Sequence, residues 1–275
     1  MSETPCLIAL DTATEVVHLA LCQGAHTWVQ ALGGGAQASA TLLPGLQALM
    51  DEAGVPRAAL QAIAFGRGPG AFTGLRTACS VAQGLALGLG LPVLPLDTLA
   101  LVAESARLRD ADLTQALASA PGTTLWVLQD ARMNEVYAQP WAWLADAGWR
   151  PQAPAVLWPA GALAAQHAQH VSAGETGTSW ACGSALSAYP EQAQALADAG
   201  VPCVAGAVPE GAALAALARQ AWARGLACDA ALALPLYVRD KVAQTTAERT
   251  AERTKERMAD RAPAPARPPS PVEAR

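Results

Sequence analysis

The chain contains the stretch Gly66-Arg67-Gly68-Pro69-Gly70-Ala71-Phe72-Thr73-Gly74-Leu75-Arg76 between an apolar run and a run of small residues. The apolar run, residues 62–65, is typical of a buried strand, and the small residues from 77 to 90 suit a packed helix. The stretch therefore predicts a strand, a tight loop and a helix. Its four glycines allow positive φ and close backbone approach, and loops of this kind often hold phosphate at a helix N-terminus.

Two known kinds of phosphate loop fit this stretch poorly. A Walker A loop needs Lys and then Ser or Thr after its last glycine, whereas Leu75 and Arg76 follow Gly74 here. A dinucleotide-binding loop needs an acidic residue about 20 positions further along, and the nearest candidate, Asp97, lies beyond that distance. The stretch therefore excludes the first kind of loop and disfavours the second.

The longer string closely resembles the signature of the TsaB (YeaZ) family. In this resemblance the loop motif consists of Gly68, Pro69, Gly70, Phe72, Thr73, Gly74 and Arg76. Other segments resemble the same family in the same order, namely ALDTAT at 9–14, LLP at 42–44, AQGLA at 82–86, DARMNEVY at 130–137 and PLYVR at 235–239. The resemblance spans residues 6 to about 239.

Membership of this family implies an α/β protein with two ribonuclease-H-like lobes of the actin/Hsp70/sugar-kinase superfamily. It also implies a non-catalytic scaffold subunit that binds and activates TsaD, which transfers threonylcarbamoyl to the adenosine next to the tRNA anticodon. A TsaE-like ATPase would join the assembly, a homodimer of the free chain is an open alternative, and tRNA would be reached indirectly through the complex. No cofactor is expected. The alternative is an independent glycoprotease-like peptidase or a weak ATPase.

Two predicted helices are candidates for the partner surface. In the family this face of the first lobe binds TsaD or a second copy, which implies a contact through Leu42, Leu43, Leu46, Ala78 and Ala82. The residues alone favour ordinary core packing for both helices. Relatives often have His-Ser-Glu where this chain has Ala38-Ser39-Ala40. The chain therefore keeps the apolar part of the family's contact and departs from its polar part.

The order of apolar and turn segments predicts two halves of βββαβα type. In the first half we expect strands at 6–12, 16–22, 27–32, 62–65 and 91–96, with helices at 39–53 and 74–90. In the second half we expect strands at 124–129, 135–143, 154–158, 178–182 and 201–205, with helices at 160–170, 187–199 and 210–225. The predicted divisions are an N-terminal lobe at 1–108, a C-terminal lobe at 109–240 and an extension at 241–275.

Asp11 and Thr12 are candidates for a nucleotide site, because active members of the superfamily handle metal and phosphate with an acidic turn after the first strand. Alternatively, the Asp11 side chain caps a hairpin turn. No convincing second phosphate loop follows, and Cys182-Gly183-Ser184 lacks the acidic residue such a loop would carry. We therefore expect a vestigial nucleotide site at most.

The sequence gives little support for metal chemistry or hydrolysis. His167 and His170 could share one helix face, but a zinc site needs further ligands, so we expect two surface histidines and no metal. The chain contains no His-Glu-x-x-His helix and no Gly-x-Ser-x-Gly elbow. No catalytic residue is therefore assigned.

Composition limits the class of protein further. Six cysteines without a Cys-x-x-Cys pair favour reduced thiols in a cytoplasm, and no apolar run predicts a membrane span or a secretory signal. Of the 18 Lys/Arg and 23 Asp/Glu residues, eight and five fall in 241–275, which leaves ten against eighteen in the body. An acidic body is a poor stand-alone nucleic-acid binder. Within the extension, residues 248–261 predict a solvated charged helix and residues 262–275 a disordered tail.

Overall fold

This computed structural model describes residues 5–120, 122–172 and 178–239. Met1–Val238 form one compact unit, and the second unit begins at Arg239. The predictions made for residues 241–275 lie outside the described residues. None of the described helices combines the length and apolar character that a bilayer crossing needs.

The first sheet is built around a strand that is buried along its whole length. Its strands are β1 (Cys6–Asp11), β2 (Val16–Gln23), β3 (His26–Gly33), β4 (Ala62–Gly68) and β5 (Val93–Asp97), in the spatial order β3-β2-β1-β4-β5. β1 pairs antiparallel with β2 and parallel with β4. All six residues of β1 are buried, as expected for a strand covered on both faces.

Four helices belong to this half of the chain, namely α1 (Ala38–Ala53), α2 (Phe72–Leu89), α3 (Thr98–Arg109) and α4 (Ala111–Ser119). α1 ends at Gly54 with φ 64°, the left-handed conformation that glycine favours after the end of a helix. α2 begins two residues before its predicted start. α3 and α4 were not predicted, and in α3 every residue from 98 to 106 is buried, so it lacks the polar face that reveals a helix in sequence.

The second sheet repeats the mixed α/β order. Its strands are β6 (Thr124–Asp130), β7 (Glu135–Leu144), β8 (Gly148–Pro151), β9 (Val156–Pro159), β10 (Ser179–Gly183) and β11 (Cys203–Ala205). They run in the order β11-β10-β6-β7-β8, with β9 also paired to β7. The short strand β8 was not predicted, since it only extends a hairpin from β7.

The helices of the second half are α5 (Leu163–Ser172), α6 (Ala185–Ala188), α7 (Pro190–Asp198) and α8 (Gly211–Ala223). The single helix predicted at 187–199 is wrong, because Pro190 starts a new helix and disfavours helical geometry in the residue before it. The two sheets and their helices confirm the predicted α/β class with two ribonuclease-H-like lobes. The residue boundaries of the lobes stay a prediction.

One core joins the two sheets. It contains residues of the first sheet, of α3 and α8, and of the second sheet, for example Leu7, Val102, Leu214 and Val127. α8 packs on β1, β2 and β3, although it follows the second sheet in the chain. After α8 the chain stays on the first lobe, where Cys228 and Val93 exchange two backbone hydrogen bonds of 2.9 Å.

Candidate functional site

The glycine loop lies between β4 and α2, where the parallel strands end. Gly68 has φ 118° and is followed by a cis peptide bond to Pro69. A Cβ at Gly68 would lie 2.6 Å from the carbonyl oxygen of Leu236 and 2.8 Å from the Leu75 side chain. Leu236 in turn donates its N–H to the Arg67 carbonyl at 2.7 Å. The C-terminal motif therefore packs directly on the loop.

The loop also closes onto the turn between β1 and β2. Thr12 Oγ1 donates to the Gly74 carbonyl at 2.6 Å, and the Ala71 N–H donates to the Ala13 carbonyl at 2.9 Å. A Cβ at Gly74 would overlap the Thr12 carbonyl, and one at Gly70 would lie 2.6 Å from the Ala13 methyl group. These two glycines therefore allow two stretches of backbone to touch.

Asp11 is enclosed by protein groups. Its Oδ1 accepts the Ala13 N–H at 3.0 Å and its Oδ2 accepts the Thr98 hydroxyl at 3.3 Å, while Thr98 Oγ1 accepts the Gly68 N–H at 3.1 Å. The Gly66 backbone packs against the carboxylate with no room for a Cβ. Burial raises the pKa of Asp11 to about 6, and the hydrogen bonds from Ala13 and Thr98 oppose that rise. The bond to Ala13 matches the capping interpretation of this residue.

Asp97 is the second acid beside the loop. Its Oδ1 accepts the Leu99 N–H at 3.0 Å and so caps α3, and its Oδ2 lies 3.9 Å from Arg67 Nη2. Burial raises the pKa of Asp97 to about 6 against the opposing charge of Arg67. Both acids beside the loop are therefore used to hold the first lobe together.

Of the five residues predicted to bind a partner, only Leu43 is exposed, at 49%. The other four are buried in the core of the first lobe, namely Leu42, Leu46, Ala78 and Ala82. The reason is the helical period, since positions 42 and 46 face the sheet and position 43 lies on the opposite side. A partner would contact Leu43 directly, whereas the four buried side chains would only support the surface that the partner contacts. The binding role of all five stays a prediction.

We use the name α1/α2 face for the exposed sides of these two helices. Its exposed members include Ser39, Ala40, Leu43 and Pro44 of α1 with Thr73, Arg76, Ser80, Gly84 and Leu87 of α2. A groove of about 390 Å³ lies on it, lined by Ser39, Phe72, Thr73, Arg76, Thr77, Ser80 and Val81. The sequence analysis missed these small polar residues, because without the fold nothing separated them from the rest of each helix.

Arg76 links the glycine loop to the C-terminal motif. Its guanidinium carbon lies 3.8 Å from the centre of the Phe72 ring, and its Nε donates to the Tyr237 hydroxyl at 3.0 Å. The two rings lie 5.1 Å apart. Two segments that resemble the family far apart in sequence therefore meet at one exposed cluster.

The histidine pair differs from expectation at one position. His170 is exposed as predicted, but the prediction of a surface position is wrong for His167, which is buried with Nε2 2.9 Å from Ser179 Oγ. The face of α5 that carries His167 packs edge-on against Trp126. Burial, with a smaller contribution from His170, lowers the pKa of His167 to about 4. Among the described residues no group of three His, Cys, Asp or Glu side chains could hold a metal ion.

The duplicated sheets, the glycine loop and the acidic turn define a two-lobed α/β protein of the actin/Hsp70/sugar-kinase type. A structure of YeaZ from Pseudomonas aeruginosa superimposes with a TM-score of 0.68 and 33% identity, covering 85% of this chain and 99% of that one. The chain belongs to the TsaB (YeaZ) family. A second solved structure, titled as an uncharacterized protein with similarity to peptidase YEAZ from the same organism, also has a TM-score of 0.68 and 33% identity, over 86% of this chain and all of the other.

Curated relatives agree over part of the chain. The tRNA threonylcarbamoyladenosine biosynthesis protein TsaB of Haemophilus influenzae is 40% identical over 134 residues, which are 48% of this chain and 51% of the relative. The protein of the same name from Escherichia coli is 35% identical over 143 residues, 48% of this chain and 52% of the relative. The match thus spans about half the length of these relatives. Residues 35–147 also match the family model TsaD, tRNA N6-adenosine threonylcarbamoyltransferase.

Proposed function

We propose that this chain is a non-catalytic subunit in the biosynthesis of threonylcarbamoyladenosine on tRNA. In this account it binds a TsaD-like transferase subunit and holds it in its active conformation. A TsaE-like ATPase joins the assembly, and tRNA is reached through the complex. The names of the curated relatives support the pathway. The match of residues 35–147 to the transferase family supports a pairing of two similar lobes.

The enclosed glycine loop carries the proposal. In an active relative of this fold, the loop and the acid after the first strand would face a nucleotide. In this chain Asp11 is fully buried and bonded to Ala13 and Thr98, and Gly74 lies against Thr12. The groups that would handle phosphate instead hold two loops together. We infer that any nucleotide site here is vestigial.

The α1/α2 face is the proposed contact surface. Leu43 offers an exposed apolar side chain, and the small residues of α2 allow a second helix to approach closely. Burial of an exposed apolar side chain such as Leu43 on association is favourable, because it removes apolar surface from water. A second copy of the chain would use the same face, so the homodimer and the mixed complex would compete.

Light scattering after size-exclusion chromatography tests the mixed complex. We expect a peak at the mass of the complex when the chain and its cognate TsaD-like subunit are mixed at about 30 µM, a concentration that detects micromolar affinity. Leu43→Asp should remove this peak. The matched control is Leu108→Asp, because Leu108 on α3 is also 49% exposed and should leave the peak unchanged. No mixed peak with the wild-type chain would contradict the proposal.

The independent-enzyme alternative makes the opposite prediction for the chain alone. A peptidase or weak ATPase would turn over substrate without a partner, and Asp11→Asn would abolish that activity. We expect no ATP hydrolysis above a buffer blank by the purified chain, measured as phosphate release. Turnover that Asp11→Asn removes in a folded variant would reopen the alternative.

A further inference from the structure

Arg76 is an exposed cation on the α1/α2 face. Among the described residues its side chain makes no ion pair, in contrast to Arg67, Arg107, Arg109 and Arg132. Its only hydrogen bond in this part of the chain uses Nε and goes to Tyr237. Both terminal amino groups therefore stay available for a ligand outside the described residues.

The guanidinium is nevertheless held in one place. It stacks on Phe72 at 3.8 Å, an arrangement that favours a cation electrostatically, and the bond from Nε to Tyr237 fixes its rotation. An arginine held in this way loses less conformational entropy when it binds, since its planar donors already point in fixed directions. Side-chain order of this kind without a charge partner is typical of a binding contact.

The surroundings of Arg76 suit a protein side chain. The groove beside it is lined by Ser39, Thr73, Thr77 and Ser80, which are small and uncharged. Ser39 and Leu43 lie four residues apart on α1, and such residues are neighbours on a helix surface. A partner chain could therefore place an apolar group on Leu43 and a polar group in the groove.

We propose that Arg76 is a specificity-determining contact of the α1/α2 face and binds the carboxylate of an Asp or Glu of the TsaD-like subunit. The two terminal amino groups would donate to the two carboxylate oxygens, the paired geometry that arginine forms with carboxylates. This inference rests on the proposed function, because it names the polar contact of the same interface. It also supplies a polar anchor where Ala38 and Ala40 offer none.

A carboxylate fits this site better than an RNA phosphate. Affinity for nucleic acid comes from several cations that neutralise successive phosphates. Among the described residues that line the groove, Arg76 is the only charged one. The body of the chain also carries ten Lys/Arg against eighteen Asp/Glu, since eight of 18 and five of 23 lie in 241–275. A single fixed guanidinium next to an apolar residue is the composition of a protein–protein hot spot.

Affinity for the cognate TsaD-like subunit, measured by calorimetry with the full chain, tests the inference. Arg76→Gln keeps a long side chain that can stack on Phe72 and bond to Tyr237, but it removes the charge. We expect about tenfold to a hundredfold weaker binding, the loss typical of a truncated interfacial charge pair. The control is Arg150→Gln, which removes the same charge from an exposed position on β8 and should change the affinity less than about twofold.

The outcomes separate this inference from the proposed function. If the wild-type chain does not bind the subunit, both fail. If the wild-type chain binds and Arg76→Gln binds equally well, only the inference is overturned. Loss of tRNA binding in Arg76→Gln with unchanged affinity for the subunit would also overturn it and assign the contact to RNA. Should Arg76→Gln melt at a lower temperature than the wild type, Arg76→Lys replaces it, and weakened binding is again expected because lysine cannot donate two parallel hydrogen bonds.

Discussion

Asp11 shows how a buried acid serves structure beside the glycine loop. The carboxylate is buried in the first lobe and accepts hydrogen bonds from Ala13 and Thr98. Burial raises its pKa to about 6, above the usual range of an Asp carboxyl. The folded chain therefore holds a proton on this group at pH values where the unfolded chain has released it.

The pH dependence of stability should report this group. Because the pKa is higher in the folded state, the contribution of Asp11 favours folding most below pH 4, falls as the pH rises to about 6 and is constant above that. The full shift corresponds to a cost on the order of 3 kcal/mol. Asp11→Asn should remove the part of the pH dependence of stability that comes from Asp11. It should also raise the free energy of unfolding at neutral pH by up to about 3 kcal/mol.

Urea titrations at pH values between 4 and 8 measure this effect. The control is Asp112→Asn, since Asp112 is exposed in the first turn of α4 and should leave the wild-type slope unchanged. An identical pH dependence in Asp11→Asn and the wild type would contradict the account of Asp11. The partly buried Asp97, whose pKa is raised in the same direction, stays in both proteins.

At the scale of the element, α2 shows why a glycine-rich helix is stable here. Gly74 and Gly84 lie in the same helix but in opposite surroundings. A Cβ at Gly74 would overlap the Thr12 carbonyl, whereas one at Gly84 would meet nothing within 4 Å. The first glycine lets the helix touch the β1–β2 turn, and the second leaves space on the α1/α2 face.

Alanine at these two positions should have opposite effects. Gly74→Ala forces two backbone segments apart and should lower the free energy of unfolding by about 2 kcal/mol, as overpacking does. Gly84→Ala gains helix propensity without a clash and should raise it by about 0.5–1 kcal/mol. Thermal melts of both variants and of the wild type measure these changes in stability. If both substitutions changed the stability equally, the result would contradict the packing described for the loop.

Sequence alone predicted the elements that carry a clear pattern. Turn residues separate the strands of the first sheet, and α1 has its apolar side chains at helical spacing before Gly54. These strands and this helix were therefore predicted closely. α3 was missed because its residues 98–106 are all buried, which leaves most of the helix without a polar face. Leu43 was predicted as a partner contact together with Leu42 and Leu46, but which of these side chains faces water depends on the sheet beneath the helix.

At the scale of the whole molecule, the chain crosses between its two sheets more than once. α8 follows the second sheet but packs on the first, and the segment after it ends at Tyr237 beside Arg76. The apolar pattern of α8 predicts a buried face but not the sheet that covers it. The same limit applies to Arg76 and Tyr237, which lie 161 residues apart.

Reconstituted modification of tRNA tests the central claim most directly. The assay combines the cognate TsaD-like and TsaE-like subunits, tRNA and this chain, and it measures threonylcarbamoyladenosine formed per minute. We predict that Asp11→Asn supports the wild-type rate within about twofold, because Asp11 acts only in folding, and that Leu43→Asp lowers the rate to that without the chain. A folded Asp11→Asn variant that still binds the TsaD-like subunit but abolishes modification would contradict the account.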